Sequence, residues 1–274
     1  MKSDDSWTRL KEKTSARIAL GRAGGSLPTK AWLDFRLAHA KARDAVFKEF
    51  DISTLVLDFK EAGITSSVVE SCADNIQEFL LRPDKGRRLT EASIEQTSRL
   101  DFARPEFARK KPGEKPVDGA TGRPRVGVIL SAGLSALAAM VNGPRVILSL
   151  VPDLAAAGFD VSPIFLNKFG RVALGDHIAQ ILNIDLSIIL IGERPGLDTA
   201  ESLGAYVTYS PSAKSTDADR NCVSNIHGRG LSPAVAAKKI LWITKAAIQS
   251  EKSGVMLKDH SEEVGISGSS IFLK

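Results

Sequence analysis

Three stretches in the second half of this 274-residue chain carry side chains equipped for chemistry. In GERPGL (192–197), Glu193 and Arg194 come directly off an apolar run, and Pro195 and Gly196 then fix a turn. A buried strand that ends in charge suggests a ligand site, with Glu193 accepting hydrogen bonds from amides or hydroxyls; a Glu–Arg ion pair capping the sheet edge fits the same residues. In TDADRNCVSNIH (216–227), the groups of Asp219, Arg220, Asn221, Cys222, Ser224 and Asn225 crowd into one polar loop. Cys222 and His227 have the composition of a thiol nucleophile and its base, but no third residue to orient the pair is evident, and a Cys packed against a ligand or the core fits as well. SAGLSAL (131–137) supplies small residues that let a ligand approach backbone N–H groups, or that simply make a strand-to-helix turn.

Other chemistries lack their residues. The sequence has no G-x-G-x-x-G, no phosphate-binding G-x-x-x-x-G-K-[ST] and no H-E-x-x-H. His39, His177, His227 and His260 are never three or four apart, and Cys72 and Cys222 match no zinc or redox spacing, so no metal site is expected. Two distant cysteines also point to a reducing, intracellular setting. The net charge of +5 is spread along the chain, including Arg109, Lys110, Lys111 and Lys115, and only 6% of residues are aromatic, so a nucleic-acid partner is not expected. No unbroken apolar run is long enough to cross a bilayer, and the first residues are too charged for a secretory signal, which together imply no membrane and a cytoplasmic protein.

The elements that must position these groups follow from periodicity. Trp32, Leu33, Phe35, Leu37, Ala38, Ala42 and Val46 recur at helical intervals behind Pro28, with Thr29 as the expected N-cap. A second helix is predicted from Ser66 to Leu81, striped by Val68, Val69, Cys72, Ile76, Phe79 and Leu80 and stopped by Pro83 and Gly86. Between 101 and 124 the pattern fails, because Pro105, Pro112, Gly113, Pro116, Gly119, Gly122 and Pro124 crowd together as a linker or insertion. Beyond it RVGVILS (125–131), VSPIFLN (161–167), LSIILIG (186–192) and AYVTYSP (205–211) read as strands, with a helix from about Leu174 to Leu182 and a closing helix from Pro233 to Gln249. Continuous apolar strands separated by helices imply a sheet buried on both faces. The expected fold is α/β: a helical N-terminal region (1–100), the linker (101–124), and a Rossmann-like, mostly parallel sheet flanked by helices (125–274). In such sheets ligands collect beyond the carboxyl ends of the strands, where the three chemical stretches fall.

Taken together, ARIALGRAG (16–24), LRPDKGRRL (81–89), NKFGRV (167–172), GERPGL, ESLGAYVTYSP (201–211) and DRNCVSNIH (219–227) closely resemble the small subunit, or light chain, of ethanolamine ammonia-lyase. The likeness runs over most of the chain and is strongest from Val161 to His227. It implies a light chain docked on a barrel-shaped large subunit in a higher hetero-oligomer, with adenosylcobalamin held between the two. The implied reaction converts ethanolamine to acetaldehyde and ammonia, started by homolysis of the cofactor's cobalt–carbon bond, with the catalytic residues on the large subunit. The light chain's cofactor contacts carry over to Val172, Glu193 and Cys222.

The resemblance implies base-on binding, and the absence of the D-x-H-x-x-G pattern that lets a histidine replace the cofactor's own base agrees, since His177 directly follows Asp176. Two departures stand out. Ala132 occupies a position where such chains usually carry Asp, which keeps open a second reading, a degenerate homologue or assembly partner that binds no cofactor. The basic stretch at 103–124 looks inserted. Trp7, Leu10, Lys11 and Lys13 are compatible with a short amphipathic helix addressing the chain to a bacterial microcompartment, or with an ordinary frayed terminus.

Overall fold

The computed structural model describes residues 6–14, 16–100, 102, 122–261 and 265. Most of the expected linker, 101 and 103–121, lies outside the described residues.

Strands β1 (Ser66–Val68), β2 (Arg125–Ser131), β3 (Asp160–Val161), β4 (Ile164–Asn167), β5 (Leu186–Gly192), β6 (Leu203–Tyr209) and β7 (Arg220–Ile226) form one sheet in the order β1-β4-β2-β5-β6-β7, with β3 beside β2. The first four strands of that order run parallel; β6 and β7 turn antiparallel. Every residue of β2, β4 and β5 is buried, so these strands must be apolar on both faces.

Alternation along each strand sorts the core into two layers. Val126, Val128, Leu130, Ile188 and Leu190 face helices α3 (Ile52–Glu61), α6 (Ala136–Ala156) and α8 (Pro233–Ser250). Ile129, Phe165 and Ile189 face α7 (Leu174–Leu182), which packs against α5 (Glu91–Ser98). Helices α6 and α8 start where a serine satisfies an early N–H group: Ser135 accepts from Ala138 on α6, and Ser232, ahead of Pro233, accepts from Val235 on α8. Asn183, left-handed at φ 56°, ends α7.

The α/β class, the strands at 125–131 and 186–192 and the helix Leu174–Leu182 agree with expectation, and four local readings are corrected. Pro28, not Thr29, occupies the cap of α2 (Thr29–Phe47). The predicted helix from Ser66 is instead β1, added to the edge of β4, and helix α4 (Ile76–Leu81) begins only where Asn75 caps it. Pro163, which has no N–H to donate, divides 161–167 into β3 and β4. The polar stretch 216–227 is not a loop over most of its length: Arg220–Ile226 is edge strand β7.

Helix α6 is also long and apolar enough to cross a membrane, at 21 residues, which a search for unbroken apolar runs misses because Asn142, Pro144 and Arg145 interrupt it. Here it covers the sheet, burying Val146, Ile147, Leu150 and Leu154.

Candidate functional site

The carboxyl ends of β2, β4 and β5 meet in a crossing that leaves no room for side chains. Leu134 N–H donates to the carbonyl of Gly192 at 2.9 Å. A Cβ on Gly192 would lie 2.1 Å from the Ser135 carbonyl oxygen, and Gly133 holds φ +58° against the same strand end. The crossing fixes the direction in which residue 193 leaves the sheet. Ala132, where related chains were expected to carry Asp, is buried among apolar side chains.

The loop after β4 is pinned as firmly. Ser71 Oγ donates to the Phe169 carbonyl at 2.8 Å, Ser131 Oγ donates to the Gly170 carbonyl at 3.1 Å, and Arg171 N–H donates to the Gly86 carbonyl at 2.7 Å. These bonds set Val172, half-buried, into the apolar layer that also holds Tyr206.

Glu193 is half-buried at the end of β5. Its N–H donates to the Ser202 carbonyl at 2.9 Å, and its carboxylate accepts a short hydrogen bond from the Ser202 hydroxyl. The carboxylate thus bonds to Ser202 rather than pairing with Arg194, so the ion-pair reading is replaced. Gly204 makes space for it: a Cβ there would come within 2.9 Å of Glu193 Oε1.

Cys222 projects from β7 opposite Tyr206 of β6 and is exposed. On β6, Leu203, Ala205 and Val207 enter the α6–α8 layer, so Gly204 and Tyr206 point to the α7 side. Helices α7 and α5 cover the β2–β5 part of that side, and at β7 Cys222 meets solvent. The outcome is a cluster in which Tyr206 and Cys222 are cross-strand partners, Glu193 lies beside Tyr206 over Gly204, and Val172 packs into the same layer as Tyr206.

Burial, then the neighbouring Cys222 and Glu193, pushes the Tyr206 hydroxyl up to about 12. The protein packed around the Cys222 thiol raises it above its ordinary value, with Glu193 adding to the effect and a hydrogen bond to Tyr206 opposing it. A thiol held protonated is a poor nucleophile. His227 is not its base either, because its Nε2 bonds to Asn225 Oδ1 at 2.7 Å and its Nδ1 accepts from Arg229 N–H.

The structure therefore brings Glu193 and Cys222 into one cluster around Tyr206, with Val172 in the same apolar layer. Tyr206 was missed from the sequence; its only signal was a bulky ring at an alternate position of β6. Among the described residues no group of three or more His, Cys, Asp and Glu is placed to hold a metal. A groove of about 940 Å³ lies apart from this cluster, between α2 and the loops bearing Asp198, Glu201, His227 and Arg229.

Residues 4–258 match the family model of the ethanolamine ammonia-lyase light chain (EutC). The chain is 42% identical over 259 residues to a Pseudomonas putida (strain W619) protein described as ethanolamine ammonia-lyase small subunit, covering 94% of this chain and 89% of that one. A Xanthomonas campestris pv. campestris (strain B100) protein of the same description is 42% identical over 258 residues, with 94% and 89% covered. One from Pseudomonas aeruginosa (strain LESB58) is 40% identical over 266 residues, with 97% and 92% covered.

Proposed function

Because this chain belongs to the ethanolamine ammonia-lyase light chain family, and is thereby a lyase subunit, we propose that it forms half of an adenosylcobalamin site completed by a large subunit. The complex converts ethanolamine to acetaldehyde and ammonia, and the reacting groups reside on the larger partner. When bound, the cofactor supplies radical chemistry through its cobalt–carbon bond.

The residues present fit such a group. Val172 and Tyr206 offer apolar surface to a flat macrocycle, and Glu193 offers an acceptor to amides at its rim. Cys222, protonated and exposed, contacts the ligand as a weak donor rather than as a reactive thiolate. Base-on binding agrees with two observations: His177 Nδ1 already accepts from Leu89 N–H at 3.0 Å, and Asp176 is committed to Arg220. The light chain's work is positioning and exclusion of water, which leaves the barrier-lowering chemistry to the cofactor. Such a complex operates in the cytoplasm, and the exposed Trp7 and Leu10 of α1 (Ser6–Glu12) suit an address to a microcompartment.

One observation carries the reading: Glu193 and Cys222, from separate stretches, both neighbour Tyr206, and Val172, from a third, packs in the same layer as Tyr206. The test mixes the purified chain with its large subunit, titrates adenosylcobalamin and follows the corrin absorbance. Saturable spectral change in the pair, absent from either chain alone, is expected. A stable two-chain complex with no cofactor response would favour the second reading, an assembly partner without cofactor, for which the apolar burial of Ala132 speaks.

A further inference from the structure

Beside the same cluster the Arg171 guanidinium lies within the field of two more, those of Arg87 and Arg194. Arg171 immediately precedes Val172, Arg194 immediately follows Glu193, and Arg87 follows Gly86, whose carbonyl accepts the Arg171 N–H. The Arg171 side chain lies 4.0 Å over the Phe79 ring and donates from Nη2 to the Phe79 carbonyl at 2.7 Å, so it is held in one place. Its Nε is buried and has no hydrogen-bond partner. Burial, then the charges of Arg87 and Arg194, disfavours its ionised form. Among the described residues no carboxylate is paired with any of the three, whereas Arg82, Arg99, Arg220 and Arg229 all have acidic partners.

Converging like charges destabilise a fold unless something offsets them. An orphaned guanidinium donor flanked by two exposed ones has the composition of an oxyanion site. Because Arg171 and Arg194 are the chain neighbours of Val172 and Glu193, the anion would be part of whatever those two residues hold.

We propose that Arg87, Arg171 and Arg194 bind a phosphodiester, the one anion at the periphery of adenosylcobalamin, which otherwise presents neutral amides. This rests on the cofactor reading above and extends it to residues outside the Val172, Glu193 and Cys222 set. Arg171 is the fixed anchor. Arg87 and Arg194, both exposed, close on the anion from either side.

The experiment uses the complex with the large subunit, unaltered and carrying the double substitution Arg87→Gln/Arg194→Gln, which touches only exposed side chains. Two probes are titrated by corrin absorbance: adenosylcobalamin, and adenosylcobinamide, which lacks the phosphate, ribose and base. The substitution is expected to weaken adenosylcobalamin binding about tenfold and to flatten its salt dependence, while adenosylcobinamide affinity stays within about twofold. Equal weakening of both probes, no weakening of either, or failure of the substituted chain to co-elute with its partner would each overturn the proposal. If the unaltered complex binds neither corrinoid, the cofactor reading fails and this one with it. If it binds both and the substitution does not discriminate, only the phosphodiester site fails.

Discussion

The Asp176 carboxylate and the Arg220 guanidinium meet in two parallel hydrogen bonds of 2.8 and 2.6 Å, with side chains only 5% and 4% exposed. Arg220 Nη1 also donates to Thr208 Oγ1 at 3.2 Å, so one guanidinium ties α7 to β6 and β7. Burial raises the Asp176 carboxyl and works against the Arg220 charge, but the bonds and field of Asp176 outweigh it and keep the guanidinium protonated. The pair sets the height of the edge strand that carries Cys222.

Arg220→Met strands a carboxylate in the interior and should cost about 3–5 kcal/mol, read as a fall in denaturation midpoint. The double variant Asp176→Leu/Arg220→Met should recover most of that loss, because no uncompensated charge remains. A double variant as unstable as the single one would mean that geometry, rather than stranded charge, governs this site.

Glu193→Ala should weaken corrin binding to the assembled complex by about tenfold or more, the scale of one charge-assisted hydrogen bond, while shifting the melting temperature little. Ser202→Ala, which removes the carboxylate's partner within the chain, gives the comparison. Should Glu193→Ala depress melting more than affinity, the Glu193–Ser202 bond is a structural clasp for the loop.

Gly192→Ala places a methyl 2.1 Å from the Ser135 carbonyl and 2.5 Å from that of Ala132, both backbone atoms that cannot swing aside. A loss of about 3 kcal/mol is expected by chemical denaturation. Gly196→Ala is the control, since its methyl would come no closer than 3.6 Å to any neighbour, and should be close to neutral.

Burial, helped by the charge of Arg88 and opposed by Glu91, holds His177 below its ordinary 6.5, in keeping with a neutral ring that accepts from Leu89. The unfolded chain takes up the proton first. Stability from this group is therefore whole above the ordinary value and declines as pH falls through 6.5 toward the lower folded-state value. Denaturation curves from about pH 8 to 5 should show this slope, and His177→Gln should lack it. An imidazole NMR titration at or above 6.5 would contradict the assignment.

Legibility in the sequence tracked burial. β2, β5 and α7 were found to the residue because two-sided burial writes continuous apolar runs and one-sided helical burial writes a clear stripe. β7 was hidden because only Arg220, Val223 and Ile226 are buried, and its remaining residues look like a polar loop. β1 is three residues long, too short for any period to register. Glu193 was readable as charge ending an apolar strand. Val172 was not, since a valine after a Gly-Arg turn announces nothing, and it entered through family resemblance alone. Tyr206 became visible only when the sheet's alternation assigned it to the uncovered side.

Strand β1 lies ahead of the Pro/Gly-rich stretch, yet hydrogen-bonds β4 in register from Ser66 with Ile164 to Val68 with Leu166. Asn167 Nδ2 reaches back to the Val69 carbonyl at 2.7 Å, and His177 to Leu89. The obvious seam in the sequence is thus not a seam in the wiring. A nick between 103 and 121 should leave two fragments that stay associated and melt in one calorimetric step, and neither, expressed alone, should acquire native structure until the other is supplied.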